Sequence, residues 1–178
     1  RPMLICQEDK TDRLLAELSI RRFDLVLADE PVSGPVRVKA FNHLLGECGL
    51  SFFASPALVD RCDDFPGCLA EVPVLLPTEN TVSRRAMDQW FERHHVRPNV
   101  VAEFEDSALM KQFGRKGAGL FAGPTPLEDD ICRDHHVKVV GRTGDVRVRF
   151  YAITVERRIK HPAVQALVDA ARGTLFRA

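Results

Sequence analysis

The sequence lacks three features that would each indicate a particular class of protein: an excess of one charge, a long apolar run and a paired-cysteine motif. Lys and Arg number 25, and Asp and Glu also number 25, so the formal net charge is +0. A domain that holds nucleic acid by itself usually carries a basic excess, because phosphates need cationic partners. The composition therefore argues against DNA binding by these residues alone.

Neither a bilayer-spanning apolar run nor a signal-peptide pattern is recognisable in the sequence. The five cysteines are odd in number and form no C-x-x-C pair, which fits reduced thiols better than a disulfide framework. Cys62 and Cys68 flank a short turn-like stretch and could pair on oxidation, although small buried thiols are the favoured interpretation. We therefore expect a cytoplasmic protein with no membrane partner.

Motifs of catalysis and metal binding are also missing. The sequence has no G-x-S-x-G elbow, no P-loop and no H-E-x-x-H helix. The glycines of residues 114–123 precede a predicted strand instead of opening a helix after one, unlike a dinucleotide-binding loop. In the doublets 94–95 and 135–136, adjacent histidines point to different sides, so we interpret them as exposed polar residues. We expect no enzyme activity, no catalytic residue, no metal and no cofactor.

Short strands and helices alternate along the 178 residues, which indicates an α/β fold with mostly parallel pairing. Helices are predicted from residue 11, over 82–95, 107–115 and 127–132, and from residue 162. Strands are predicted at residues 3–6, 23–28, 36–45, 50–54, 74–76, 100–104, 119–122, 137–140 and 146–155. A turn over 46–49 is predicted to join two of these strands.

Several segments resemble, in the right order, the effector domains of LysR-type transcription regulators. Residues 20–27 (IRRFDLVL) resemble that family's helix-then-strand element, and residues 36–54 resemble its interlobe crossover. Residues 117–124 (GAGLFAGP) resemble a glycine-bounded strand of its second lobe. Three further segments, 104–110 (FEDSALM), 150–153 (FYAI) and 158–164 (RIKHPAV), resemble the subgroup that activates sodium/proton antiporter genes. The resemblance covers nearly the whole chain.

This resemblance implies a type 2 periplasmic-binding-protein-like fold, in which two α/β lobes are joined by two crossover strands. Lobe one would comprise residues 1–50 and 153–178, and lobe two residues 51–152. The family's winged helix-turn-helix, its linker helix and the first strand and helix of lobe one are not recognisable in the sequence. We therefore expect the 178 residues to be part of a longer folded polypeptide.

In open α/β sheets, ligands collect beyond the carboxyl ends of the strands, beside helix N-termini with unpaired N–H groups. This rule selects three loops after predicted strands, together with an acidic pair after the strand in lobe one. The predicted effector-binding residues are Thr78, Glu79, Asn80, Thr81, Asp106, Ser107, Gly123, Pro124, Thr125, Asp29 and Glu30.

Each of these positions also has a purely structural interpretation. Thr81 or Ser83, and Asp106 or Ser107, are ideal N-caps, and Asp29 could belong to a solvated turn. The chemistry of the ligand is open as well. Helix N-termini and glycine-bounded loops favour an anion such as a carboxylate metabolite, whereas the acidic residues suit a hard cation.

We expect an effector-sensing regulatory domain that binds a small molecule or ion between its lobes and responds to a sodium-linked signal. DNA would be bound only through the missing N-terminal domain, and the full-length protein would be a homodimer or homotetramer. The first alternative is a solute-binding protein of a transport system. The second is an enzyme on a similar two-lobed fold, which the missing catalytic motifs disfavour.

Overall fold

A computed structural model describes residues 3–32 and 39–176. The chain divides into two compact units, one of Arg1–Glu47 with Arg149–Ala178 and the other of Cys48–Val148. Among the described residues, no helix has the length and apolar character needed to cross a membrane.

The first unit holds two helices and a short strand, together with parts of two long strands. Its own elements are α1 (Thr11–Ser19), β1 (Val26–Ala28) and α6 (Pro162–Ala170), which continues as a π-helical turn over Ala171–Leu175. The long strands are β2 (Phe41–Ala54) and β6 (Lys138–Thr154), and each contributes to both units.

Helix α1 packs its apolar stripe onto the sheet of the first unit. Leu15 and Leu18 are buried there with Val26 of β1 and Ile153 of β6. Strand β1 runs antiparallel to β6, with Val26 opposite Ile153. The leucines share one face because residues three apart on a helix are neighbours, as the sequence pattern predicted.

The predicted strand at residues 3–6 is wrong. These residues have no regular secondary structure, and Met3, Leu4 and Ile5 are 82%, 67% and 72% exposed. An apolar run forms a strand only when a neighbour supplies backbone hydrogen bonds, and no strand of the described part pairs with this one. Strand β1 is also shorter than predicted, since it begins at Val26 instead of residue 23.

The predicted turn over residues 46–49 is wrong too, because β2 continues through it as one strand. Residues 36–38 of the predicted first strand lie outside the described residues. Gly46 is typical of a turn in the sequence, but in the structure it allows the Phe176 ring to pack closely, since a Cβ there would lie 2.2 Å from that ring. Glycine inside a strand often marks such an approach.

Strand β6 likewise replaces two predicted strands, 137–140 and 146–155. Gly141 lies in the interval between them, and a Cβ there would be 2.3 Å from the ring of Phe65. Both long strands were therefore interrupted in the prediction at glycines that only make room for an aromatic ring.

The second unit contains the rest of the sheet and most of the helices. Its elements are α2 (Pro56–Val59), a 3₁₀ turn (Gly67–Ala70), β3 (Pro73–Pro77), α3 (Val82–Arg93), β4 (Asn99–Phe104), α4 (Ser107–Arg115), β5 (Leu120–Pro124), a 3₁₀ turn (Thr125–Leu127) and α5 (Glu128–His135).

The six strands follow the order β1-β6-β2-β5-β3-β4. Strand β3 is parallel to both β4 and β5, whereas β2 is antiparallel to β5 and β1 is antiparallel to β6. The α/β class is confirmed, but the expectation of mostly parallel pairing holds only around β3. The long strands reverse direction relative to their neighbours, which the sequence pattern does not reveal.

Aromatic and aliphatic side chains fill the core of the second unit. Phe53 and Phe121 are fully buried, with stacked rings 5.4 Å apart. Trp90 is 2% exposed and lies 5.7 Å from Phe65 and 6.2 Å from Phe52 between ring centroids. The helical stripe that includes Trp90 is therefore core, as the sequence predicted.

Cys62 and Cys68 form a disulfide in the structure, with their Cα atoms 5.0 Å apart. This corrects the expectation of reduced thiols for these two residues. The intervening segment contains a cis Phe65–Pro66 peptide, and a 3₁₀ turn begins at Gly67.

Candidate functional site

Three of the four predicted ligand loops leave the same edge of the second unit's sheet. Strands β3 and β4 are parallel and in register at their ends, with Pro77 opposite Phe104. Strand β5 runs parallel to β3 on its other side. The loops after the three strands, residues 78–81, 105–107 and 123–125, therefore emerge from one edge, where ligand sites in α/β sheets are built.

The first loop is anchored by the cap of α3. The hydroxyl of Thr81 accepts a hydrogen bond from the Arg84 amide at 3.2 Å and donates one to the Thr78 carbonyl at 3.2 Å. The Thr78 amide donates to the carbonyl of Phe104 at 3.0 Å, which ties the loop to the end of β4. The capping interpretation of Thr81 is confirmed.

Other side chains of this loop remain available for a ligand. Thr78 is half-buried, and Glu79 and Asn80 are exposed. None of these three side chains makes a hydrogen bond or ion pair within the parts of the chain that the structure describes. The loop thus offers a hydroxyl, a carboxylate and an amide beside the N-terminus of α3, whose first amides point outward.

Arg84 was not among the residues predicted from the sequence, and its side chain links the elements that form this edge. Its side chain is 10% exposed. Nη1 donates to the Pro77 carbonyl at 2.8 Å and to Glu103 Oε1 at 2.7 Å, while Nε contacts the carboxylate of Asp88 at 3.0 Å. One guanidinium therefore connects the end of β3, strand β4 and helix α3. Such a planar fork of donors suits several acceptors at once.

The second loop places Asp106 at the start of α4. Its Oδ1 accepts hydrogen bonds from the amides of Ala108 at 2.7 Å and Leu109 at 3.2 Å. Asp106 is therefore an N-cap, and Ser107 is the first residue of the helix. Both residues are exposed. In the described structure, Asp106 Oδ2 and the Ser107 hydroxyl have no hydrogen-bond partner.

The third loop leads into a polar network that runs beneath the sheet edge. The Thr125 hydroxyl lies 2.9 Å from the hydroxyl of Ser51, which is fully buried on β2. Ser51 also donates to the carboxylate of Glu128. Arg142 of β6 donates to both oxygens of Glu128, each at 2.7 Å. Gly123 and Pro124 form the end of β5 and bring Thr125 to this network.

Glu128 begins α5 but is less exposed than the two acidic residues that follow it. Its side chain is only 16% exposed, whereas Asp129 and Asp130 do face solvent. The hydrogen bond from Arg142, supported by the one from Ser51, lowers the pKa of the Glu128 carboxyl against the opposing effect of partial burial. The Glu128 carboxylate is therefore ionised, and it belongs to the hydrogen-bond network that contains Thr125, one of the predicted effector-binding residues.

The lowered pKa of Glu128 predicts a particular response to acid. The carboxylate contributes stability above the ordinary glutamate pKa, and this contribution is lost as pH falls through the lower pKa of the folded state. Glu128→Gln removes the contribution, which we expect to be roughly 0.5–1 kcal/mol because Arg142 is largely solvated.

Urea unfolding between pH 7 and pH 3 measures this difference. We expect the Gln variant to be less stable at neutral pH, and the gap to narrow as pH falls below 4.5. Asp129→Asn removes an exposed neighbouring charge and serves as the control. A gap for Glu128→Gln that stays constant down to pH 3 would contradict the prediction.

The fourth predicted group, Asp29 and Glu30, lies in the first unit directly after β1. Both residues are half-buried and both interact with other groups of the chain. Their assignment to the effector site stays a prediction.

The two histidine doublets lie at helix C-termini. His94 follows α3, with its ring 4.4 Å from that of Trp90. His95 and His136 adopt left-handed backbone angles, with φ of 55° and 52°, as residues that end helices often do. Within residues 3–32 and 39–176, no three His, Cys, Asp or Glu side chains are grouped so that they could hold a metal ion.

This edge therefore offers two kinds of ligand contact. The N-termini of α3 and α4 present amides and the hydroxyls of Thr78 and Ser107, which suit an anion. The carboxylates of Glu79, Glu105 and Asp106 have the oxygen chemistry that a hard cation requires, but in the described structure they are not grouped so that three of them could hold one ion.

Comparison with known proteins gives a family match over almost the whole chain. Residues 4–175 match the family described as LysR substrate binding domain. The Transcriptional activator protein NhaR of Escherichia coli (strain K12) is 33% identical over 173 residues, which are 97% of this chain. The chain spans 57% of the length of that relative.

Solved structures show the same fold at low sequence identity. The regulatory domain of OxyR2 from Vibrio vulnificus, in its reduced form, has a TM-score of 0.70 at 14% identity, and the match covers 95% of this chain and 80% of that one. The effector-binding domain of QuiR in complex with shikimate has a TM-score of 0.64 at 16% identity, with coverage of 94% and 78%.

Proposed function

This chain belongs to the LysR substrate-binding domain family, and we propose that it is the effector-sensing module of a transcription regulator whose effector binds at the sheet edge formed by the loops after β3, β4 and β5. The alternative of a transport solute-binding protein has no support in the comparisons, because the curated relatives are transcriptional activators. An enzymatic role has no support there either.

One observation carries the proposal for the site: three loops with eight polar side chains in all leave the same edge of one sheet. Several of these side chains make no hydrogen bond or ion pair within the described residues. Thr78 and Ser107 supply such hydroxyls, and Asp106 supplies a carboxylate oxygen. The Thr78 hydroxyl is not fully buried, so a bound solute could take the place of the solvent that reaches it.

We propose that the signal is sodium-linked, following the resemblance of residues 104–110, 150–153 and 158–164 to activators of antiporter genes. The effector acts by binding one arrangement of the regulator more tightly than another, because equal affinity for both shifts nothing. In the longer protein, DNA binding would belong to a segment outside these residues. The proposed assembly is a cytoplasmic homodimer or homotetramer.

The fluorescence of Trp90 provides a test of whether Na⁺ itself is the effector. Trp90 is buried on α3, the helix that begins at the Thr78 loop, so ligand binding at the N-terminus of α3 is expected to alter its emission. We expect NaCl to produce a saturating change that choline chloride at equal ionic strength does not produce. The Thr78→Val variant is expected to lose the difference.

Matched NaCl and choline chloride curves would contradict direct sodium binding. A saturating difference that persists unchanged in the Thr78→Val variant would place the ion elsewhere. The sodium-linked response of the whole regulator is measured separately, as transcription from its target promoter in cells shifted to NaCl or choline chloride.

A further inference from the structure

A large concave surface in the first unit lies beyond the C-terminal end of β6. It has a volume of about 860 Å³. Its walls come from two short segments of the chain, residues 39–41 and 155–160. We call it the basic recess, and its lining residues are Lys39, Phe41, Val155, Glu156, Arg157, Arg158 and Lys160.

Four cationic side chains line the basic recess, and all four are exposed: Lys39, Arg157, Arg158 and Lys160. None of them makes an ion pair or hydrogen bond with another residue in the described structure. The single carboxylate of the lining, Glu156, lies near an arginine outside it, Arg21, with a nitrogen–oxygen distance of 3.9 Å.

This concentration of charge is local, since the whole chain has a formal net charge of +0. Elsewhere in the structure, several arginines are paired with carboxylates: Arg22, Arg84, Arg133, Arg142 and Arg149. Four clustered cations with only one carboxylate, Glu156, in the same lining repel one another, and an anion bound among them relieves that repulsion.

The backbone beneath the recess is held by buried hydrogen bonds. Thr154, the last residue of β6, is 4% exposed. Its hydroxyl donates to the carbonyl of Glu156 at 2.8 Å and lies 2.9 Å from Nε2 of His43. This fixes the turn that presents the three cations of residues 157–160, so less ordering is needed when a ligand binds.

The recess also has apolar walls, which distinguish it from a plain charged surface. Phe41 and Val155 line it and are half-buried. A smaller recess of about 390 Å³ shares Val155 and Lys160 with it and adds Ile159. A ligand with both negative charges and a carbon skeleton would therefore match the lining.

The lining of the basic recess does not include the predicted effector residues of its own unit, Asp29 and Glu30. Strand β1 runs antiparallel to β6, with Val26 opposite Ile153 and Ala28 opposite Tyr151. Asp29 therefore follows the end of β1 that lies beside Tyr151, whereas the recess begins at Val155.

We propose that the basic recess is a second ligand site, which binds a small organic anion with two or more negative charges, either a polycarboxylate or a phosphate ester. The basic recess is lined by only two short segments of the chain, which favours a small solute over a duplex nucleic acid, since the duplex would need an extended basic surface. This site is independent of the effector site proposed above.

Calorimetric titration of the 178-residue chain with citrate and with pyrophosphate at low ionic strength tests the proposal. We expect at least one of the two anions to bind. Tighter binding of citrate would indicate a polycarboxylate ligand, and tighter binding of pyrophosphate would indicate a phosphate ester. The triple variant Arg157→Gln, Arg158→Gln, Lys160→Gln is expected to weaken binding at least about ten-fold, because three charge-assisted contacts are lost. Added NaCl should weaken binding as well.

A matched control removes three cations from the second unit: Arg115→Gln, Lys116→Gln, Lys138→Gln. These residues are exposed, and the control changes the net charge by the same amount. It should bind the anion as the unmodified chain does. Equal losses in both variants would mean that net charge alone is responsible and would overturn the proposal. The proposal would also be overturned if neither anion bound. It would be overturned as well if short duplex DNA bound more tightly than both anions and the triple variant lost that DNA binding.

Discussion

Replacing Thr78 with valine, or Asp106 with alanine, in the full-length regulator is expected to abolish induction while leaving operator binding intact. Thr78→Val keeps the shape of the side chain and removes a half-buried hydroxyl that makes no hydrogen bond in the described residues. Asp106→Ala removes a carboxylate at the sheet edge. Reporter transcription after a shift to NaCl measures induction, and gel-shift titration of the operator measures DNA binding.

Capping alone is the main competing explanation for Asp106, since its Oδ1 accepts two amide hydrogen bonds at the start of α4. Loss of that cap costs about 1 kcal/mol of stability. Asp106→Asn separates the two roles, because asparagine is an equally good cap but carries no charge. We expect Asp106→Asn to be as stable as the unmodified protein and yet to lose induction.

Normal induction by Asp106→Asn, together with failure of Asp106→Ala, would reduce Asp106 to a structural cap. Thr78→Ser, which retains the hydroxyl, is the matching control for Thr78→Val and should respond normally. If Thr78→Val is induced normally at normal expression, the effector does not use this loop.

Phe121→Ala is expected to destabilise the chain by about 3–5 kcal/mol, the usual cost of truncating a fully buried phenylalanine. Phe121 has no exposed surface, and its ring stacks on that of Phe53 at 5.4 Å. It belongs to the core cluster that joins β2, β3, β5 and helices α4 and α5. Urea denaturation followed by circular dichroism gives the free energy of unfolding.

Phe113→Ala is the control for this substitution, since Phe113 lies on α4 and is 46% exposed. Its loss should cost about 1 kcal/mol or less, although its ring is 5.2 Å from that of Phe104. Equal destabilisation by the two substitutions would mean that the packing around Phe121 is not as described.

The helices and parallel strands of the second unit could be predicted because their signals are local. Thr81 and Asp106 are side-chain caps that start α3 and α4, and Trp90 belongs to a stripe with helical spacing. The edge where the ligand loops meet followed from a general rule for α/β sheets, which needs only the order of strands and helices.

The long strands and the polar network could not be predicted because they depend on distant contacts. Gly46 and Gly141 signal a turn locally, yet each only makes room for an aromatic ring, and the rings belong to Phe176 and Phe65. Ser51 and Glu128 are 77 residues apart in sequence but hydrogen-bonded in the fold. A single sequence contains no signal for such a pair.

A saturation scan of the full-length regulator tests the central claim most directly, with each variant scored for NaCl induction and for operator occupancy. The account predicts that substitutions which silence induction without loss of occupancy concentrate in residues 78–81, 105–107 and 123–125. Silencing substitutions that cluster elsewhere on the chain and spare these three loops would contradict it.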